Sequence, residues 1–321
     1  MNVRKTMEAH QVAIYFVAIF AAIASSVALP TAGLAVVIEP ALALMLFATF
    51  LQVPLADLGR ALLRVRFLTA LLVANFVALP MFVLALVQFA PADPMVRLGV
   101  LMVLLTPCID YVVTFSHVGR ADARSLLAST PILLLLQMAL LPVYLGLFVD
   151  DEASSLVRLE PFVHAFVWLI VVPLALAAAV QFVAARRSYV ESTLTALDVL
   201  QVPATALVLF LVFASVVPQL GLAVDSALLV LPIYAAFAVG APVIGWGIAR
   251  TARLTAPEMR AVAFSAGTRN SLVVLPLAFA VPGAVPLLPA VIVAQTVVEL
   301  VASLFYMRTM PVLGNAAAAR N

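Results

Sequence analysis

Apolar runs of about 20 residues recur along the whole chain, and a chain built from them has few ways to fold. A helix crosses the hydrocarbon core of a bilayer in about 20 residues, and there every backbone polar group needs an internal partner. The runs fall at roughly 9–29, 35–54, 67–89, 95–117 and 125–148. After the acidic stretch DDEASSLVRLE they resume at roughly 161–184, 197–219, 226–249, 258–281 and 286–307. Charged residues make up 10% of the 321 and hydrophobic residues 66%, whereas ordinary soluble domains carry about 25% charged residues. The expectation is an all-α membrane protein of ten transmembrane helices. The first run exceeds the ~7–15 apolar residues of a signal peptide core, so it reads as a retained span. A net charge of +2 offers no footprint for nucleic acid, and a single cysteine excludes a disulfide framework or a multi-cysteine metal site. Neither a cofactor nor a metal-ligand set is expected.

The basic residues orient this map. With the N-terminus inside, the inside segments hold Arg4, Lys5, Arg60, Arg64, Arg66, Arg120, Arg124, Arg186, Arg187, Arg250, Arg253, Arg260, Arg308 and Arg320, fourteen of the 17. The outside loops hold Arg97 and Arg158, and Arg269 lies within a span. The positive-inside bias therefore places both termini in the cytoplasm of a multi-pass protein of the cell (plasma or inner) membrane.

The second run, PALALMLFATFLQVP (40–54), aligns without gaps on the seventh, PATALVLFLVFASVV (203–217), with eight of 15 positions identical, among them Pro40/Pro203, Phe47/Phe210 and Phe50/Phe213. The offset is five spans. An odd number inverts the second half, so residues 1–150 and 151–321 read as two inverted five-helix repeats, an architecture common among secondary transporters. The same offset pairs Pro107 with Asn270. The fourth run (TPCID) and the ninth (SAGTRNS) then carry matching interruptions, at Pro107 and at Gly267 with the residues after it. Non-helical backbone at that depth survives only where protein or a water-filled cavity satisfies it. Two such interruptions at corresponding places point to a transport site.

Charged side chains inside the spans sharpen this. Each costs at least about 2.5–3.5 kcal/mol at the bilayer centre, and four stand there: Glu39, Asp110, Arg269 and Glu299. Cys108, the single thiol, lies two residues before Asp110. Structural readings stand beside functional ones. Cys108 also suits a small buried hydrophobe, Asp110 or Glu299 a salt-bridge partner of Arg269, and Glu39 an interfacial acid near a helix start. His117 and His164 read as surface residues. A membrane-embedded enzyme needs a base within reach of the thiol. His117 lies nine residues away, about 13 Å along a straight helix, so an enzyme is not expected.

These residues resemble a known family. TPCIDYVVTFSHVGRADARSLLAST looks like the fourth span and following loop of arsenite efflux permeases, within the bile acid/arsenite/riboflavin transporter superfamily. AGTRNSLVVLPLAFAVP resembles their ninth span and VVELVASLFYMR their tenth. The resemblance implies the bile acid:sodium symporter-like fold: a panel domain of spans 1, 2, 6 and 7, and a core domain with discontinuous, crossed helices 4 and 9. It implies a role for Cys108 and Glu299 in transporting arsenite, with antimonite as a further substrate. Trivalent arsenic is thiophilic, and the thiolate is the reactive form. Cys108, Arg269, Asn270, Ser271 and Glu299 are the expected substrate-binding residues. Asp110 and Glu299 are the expected carriers of a coupling proton, with Pro107 and Gly267 at the helix breaks. The partners are a small-molecule substrate, protons and the lipid bilayer. The chain also departs from the family pattern. Arsenite permeases carry paired asparagines and a nearby glutamate in the ninth span, where Arg269, Asn270 and Leu272 stand here. Sodium-coupled relatives carry an acid and a glutamine where this chain has Ser265 and Arg269. An arginine facing half-helix N-termini would suit an anion, so an organic-anion carrier with Arg269 as its clamp is the alternative.

Overall fold

The computed structural model describes residues 3–51, 64–109, 111–148, 160, 163–164, 166–184, 198–218, 223–279 and 281–313. Asp110 lies outside the described residues. Among those described, regular structure is helical, with one isolated antiparallel bridge and no strand. Helix α1 covers Val3–Ala28, α2 Ala35–Leu51, α3 Val65–Val87, α4 Pro94–Leu104, α5 Val112–Val118 and α6 Ala123–Phe148. Helix α7 covers Val167–Ala184, α8 Gln201–Val216, α9 Val224–Thr251, α10 Ala256–Gly267, α11 Ser271–Phe279 and α12 Leu287–Thr309.

Among the described residues, five helical segments are long and apolar enough to cross a membrane: α3, α6, α7, α9, and α12 with its last turn to Val312. Shorter apolar helices lie within α1 and at α2, α4 and α8. Large apolar side chains such as Phe20, Leu147, Phe182, Val239 and Phe305 are exposed around the outside, a surface suited to hydrocarbon rather than water. The protein is a multi-pass membrane protein. Two of the apolar runs are not continuous helices. The run 95–117 is α4 and α5 with residues 105–111 between them. The run 258–281 is α10 and α11 with residues 268–270 between them.

Local sequence explains where the half-helices begin. Asp93 precedes Pro94, and its carboxylate accepts from the N–H groups of Met95 (2.8 Å) and Val96 (3.2 Å). That satisfies donors the first turn cannot use, while proline supplies an N–H-free first residue. At α10, the Glu258 carboxylate accepts from both the N–H (2.9 Å) and the hydroxyl (2.7 Å) of Thr255, with Pro257 in the first turn. Helix α3 carries a π-helical turn at Ala74–Ala78. The widened turn exposes backbone, and the Phe76 carbonyl accepts from the Tyr144 hydroxyl of α6 at 2.6 Å.

The helices pack in two groups. Helix α8 lies against α1 and α2, and α7 lies against α2. Helix α9 runs along α10 and α12, while α12 also meets α4 and α11. The broken helices sit inside this second group. At the arginine-rich end, Arg64 Nη1 donates to Asp122 Oδ2 (2.7 Å), Ser125 Oγ (2.7 Å) and Glu258 Oε1 (3.4 Å), joining the ends of α3, α6 and α10. Such half-exposed pairs are worth about 0–1 kcal/mol each, so they fix register more than they stabilise.

Close approach of α9 to α10 holds the second group together. A Cβ placed on Gly245 would stand 2.6 Å from the Ala266 Cβ and 3.1 Å from the Val262 carbonyl oxygen, whereas one on Gly247 would meet nothing within 4 Å. Gly245→Val is therefore expected to lower the unfolding temperature in detergent, through an overpacking cost of about 1–3 kcal/mol. Gly247→Ala should leave it unchanged or raise it, since alanine is favoured over glycine inside a helix by roughly 0.5–1 kcal/mol. Thermal unfolding of the two variants measures the difference.

Candidate functional site

The two interrupted helices meet backbone to backbone. Pro107 and Arg269 form the antiparallel bridge. The N–H of Cys108 donates to the Thr268 carbonyl at 3.1 Å, and the N–H of Asn270 donates to the Thr106 carbonyl at 2.8 Å. Both bonds lie on residues flanking the bridged pair, so the pair itself exchanges none. Proline, which has no N–H, fits there without leaving a missing bond. It also biases Thr106 away from helix, so α4 stops before it. The hydroxyls of Thr106 and Thr268 fold back onto their own half-helices, to the carbonyls of Met102 and Val103 (both 3.1 Å) and of Phe264 (2.8 Å). Thr106 and Thr268 are buried, and each thus satisfies carbonyls that a helix end would leave open.

Helix α10 ends at Gly267, where the sequence places the break. The φ of this glycine is not positive. A Cβ there would meet Pro242 Cγ at 2.7 Å and the Tyr306 ring at 3.0 Å. The glycine admits close packing of α9 and α12, and the break itself begins at Thr268.

Arg269 is wholly buried, at 0% exposure. Its guanidinium is aimed at helix C-termini, which corrects the expectation that it faces half-helix N-termini. Nη1 donates to the Leu104 carbonyl of α4 at 3.2 Å. Nη2 contacts the carbonyls of Ser265 (3.0 Å) and Ala266 (2.7 Å) in α10, and Asn75 Oδ1 at 2.8 Å. Cζ lies 5.1 Å from the centroid of the Phe237 ring of α9, in cation–π range. Open carbonyls and the negative end of the helix dipole favour a cation at this spot.

Glu299 is buried at 1% exposure in α12. Its Oε1 accepts from the Tyr111 hydroxyl at 2.7 Å. Its Oε2 accepts from the backbone N–H of Arg269 (2.6 Å) and from Gln295 Nε2 (2.7 Å). The salt bridge to Arg269 offered as a structural alternative for Glu299 is absent, and a bond to the arginine's main chain stands instead. Gln295 and Glu299 are four residues apart and share a helix face. Tyr111 carries the network outward, since its ring meets the Tyr15 ring of α1 edge-on at 6.5 Å. The two packing groups touch at this contact.

The remaining expected residues divide. Cys108 is buried at the crossing. Asn270 caps α11, with Oδ1 accepting from the Val273 N–H at 3.3 Å, while its Nδ2 is buried and makes no hydrogen bond. Gln295 Oε1 and Ser303 Oγ are likewise buried and unbonded. Ser271 Oγ accepts from the Thr296 hydroxyl at 2.8 Å. Glu39 is not in this site: it is half-exposed and pairs with His164 at 3.3 Å. His117 is exposed. The sequence reading missed Asn75, Tyr111 and Gln295. Asn75 and Gln295 each carried a signal, an amide inside an apolar span (LLVANFVALP and VIVAQTVVEL), and Asn75 sits in the π-helical turn of α3. Such turns recur at functional sites.

Discontinuous helices that meet within a membrane bundle are where secondary transporters commonly place their sites. The sodium bile acid symporter family model matches residues 39–222, more than half of the chain. The chain belongs to the sodium bile acid symporter family. It is thus a membrane transporter of the bile acid/sodium symporter type, and the family's members are transporters rather than enzymes. The matched region includes Cys108 and Pro107 and ends before Arg269, Asn270 and Glu299. No curated protein matches the chain.

Asn75 also donates Nδ2 to the Leu71 carbonyl and to Ser265 Oγ, both at 3.0 Å. Asn75→Leu would remove one of the three oxygens around Arg269 Nη2 and leave the buried Ser265 hydroxyl without the amide that donates to it. A stranded group there costs about 1–3 kcal/mol, more when charged. The expected result is a lower unfolding temperature in detergent, larger than that of Gln88→Leu on the exposed part of the same segment, measured side by side.

Proposed function

We propose that this transporter exports arsenite, with antimonite as a further substrate, in exchange for protons. The observation that carries the reading is the buried thiol of Cys108 at the meeting point of the two broken helices. Trivalent arsenic bonds to thiolate sulfur. One thiol makes a transient stop on a path, whereas three would hold the ion too tightly to release it. Arsenite is largely neutral at pH 7, so a transported molecule needs donors and acceptors rather than a counter-charge. Asn270 Nδ2 is a buried unbonded donor, and Gln295 Oε1 a buried unbonded acceptor. Glu299, in AQTVVELVASL, is a buried carboxylate able to take and return a proton, with Asp110 as a second carrier.

In the same reading the chain forms ten spans as two inverted repeats, residues 1–150 and 151–321, with both termini cytoplasmic. The panel of spans 1, 2, 6 and 7 stays against the bilayer while the core carrying the crossing rocks against it, exposing the crossing to one side and then the other. The Tyr15–Tyr111 contact supports this division, because it joins the two groups next to Glu299.

A second reading, an organic-anion carrier, is favoured by the name of the family. It requires the guanidinium of Arg269 to leave its four oxygen partners in order to bind an anion.

The deciding experiment is arsenite accumulation in everted membrane vesicles, with and without an imposed pH gradient. Accumulation is expected that collapses with the gradient. Cys108→Ser should lower it by about tenfold or more, the effect of losing one direct contact of about 1.4 kcal/mol. Unchanged accumulation in that variant sinks the arsenite mechanism. Glu299→Gln is expected to abolish the response to the gradient, while arsenite still equilibrates passively through the carrier. Uptake that remains gradient-driven in Glu299→Gln would move proton coupling to Asp110.

A further inference from the structure

The family's name implies sodium, and the crossing can be tested for a place to hold it. A hard cation needs several oxygen ligands, including carboxylates or carbonyls, arranged around one point. Among the described residues, the oxygens gathered around the Arg269 guanidinium are the carbonyls of Leu104, Ser265 and Ala266 and the amide oxygen of Asn75. All four are engaged by the Arg269 guanidinium at 2.7–3.2 Å. Glu299 is occupied by Tyr111, Gln295 and the Arg269 N–H. Where the resemblance to sodium-coupled relatives expects an acid, the chain has Ser265, whose hydroxyl accepts from Asn75. A metal cation at this point would displace a fixed positive charge or stand beside it, in a region too dry to screen the repulsion. The residues at this point do not fit sodium.

We propose that Arg269 is the resident cation of the crossing, a tethered positive charge that takes the place of a coupling metal ion. The C-terminal ends of α4 and α10 point at each other, each with open carbonyls and a partial negative charge. Some cation must neutralise them for the crossing to be stable in an apolar bundle. Guanidinium suits the role, because it is planar, always charged, weakly hydrated and able to donate to several oxygens at once. Phe237 covers one side of it. Because this cation is covalently part of the chain, it cannot be released on either side of the membrane. The crossing therefore stays neutralised through the whole transport cycle without any alkali ion. Deleting the charge should uncover a four-oxygen cage, and the cage should then take an alkali ion. This inference does not depend on arsenite being the substrate, but it excludes Arg269 as a clamp for a carried anion.

Thermal unfolding of the purified full-length protein in detergent tests it, with sodium chloride compared against choline chloride at matched ionic strength. The wild-type chain is expected to show no sodium-specific change. Arg269→Gln is expected to unfold at a lower temperature in choline, and to regain about 3–6 °C, saturably, as sodium is added. Arg269→Lys keeps the charge and is expected to be less stable than wild type yet insensitive to sodium. That variant and the wild type keep the test decisive should Arg269→Gln be recovered only as aggregate. Saturable sodium-specific stabilisation of the wild type would overturn the proposal. So would a folded Arg269→Gln that responds to none of lithium, sodium or potassium, or an Arg269→Lys that responds to sodium as fully as the glutamine variant.

Discussion

Everything at the centre of this protein depends on how two interrupted helices satisfy their open backbone inside an apolar bundle. An unbonded peptide group in hydrocarbon costs several kcal/mol, and each helix end presents several. The chain solves this by bringing the ends together. Residues 106–108 and 268–270 bond to each other as a minimal antiparallel pair, threonine hydroxyls take further carbonyls, and the Arg269 guanidinium takes those of Leu104, Ser265 and Ala266. The crossing is then held by hydrogen bonds on its backbone, while Asn270 Nδ2 and Gln295 Oε1 stay buried and unbonded beside it.

This constraint explains why the charges are where they are. A buried ion is tolerated only when paired and hydrogen-bonded. Among the described residues, Arg269 finds its compensation in helix-end carbonyls and the Asn75 amide oxygen. Glu299 finds it in a phenol, an amide and a peptide N–H. The two ions are therefore linked through the main chain of residue 269 and not through their side chains. A change at Glu299 reaches the backbone of the crossing, and through Tyr111 it reaches the aromatic contact with α1. That path connects a carboxylate in one packing group to a surface of the other.

Much of this was legible in the sequence. The period of the apolar runs gives membrane helices because length and composition alone decide whether a segment can cross lipid. Pro107 marks an interruption because it lacks an N–H and restricts its neighbour. Cys108, Arg269, Asn270, Ser271 and Glu299 stand out because polar groups are expensive at that depth, and the fold does bury all five. Where the reading went astray, the cause was direction. Sequence places Arg269 at a helix break but does not say which helix ends its side chain faces. Sequence marks Gly267 as the place where α10 ends, and it does end there, but does not say that Pro242 and Tyr306 fill the space beside it.

By itself, then, the sequence determined that this is a membrane protein, which spans are broken, and which buried polar residues need partners. Those are consequences of chain length, transfer cost and proline chemistry, and all three act locally. Only the tertiary structure decided the partners. Asn75 meets Arg269 across 194 positions of chain, and Tyr111 meets Glu299 across 188. Such pairings are set by how helices pack, and no local pattern encodes them. A guanidinium that reads in sequence as a clamp for an anion is, once folded, the cation that closes two helix ends.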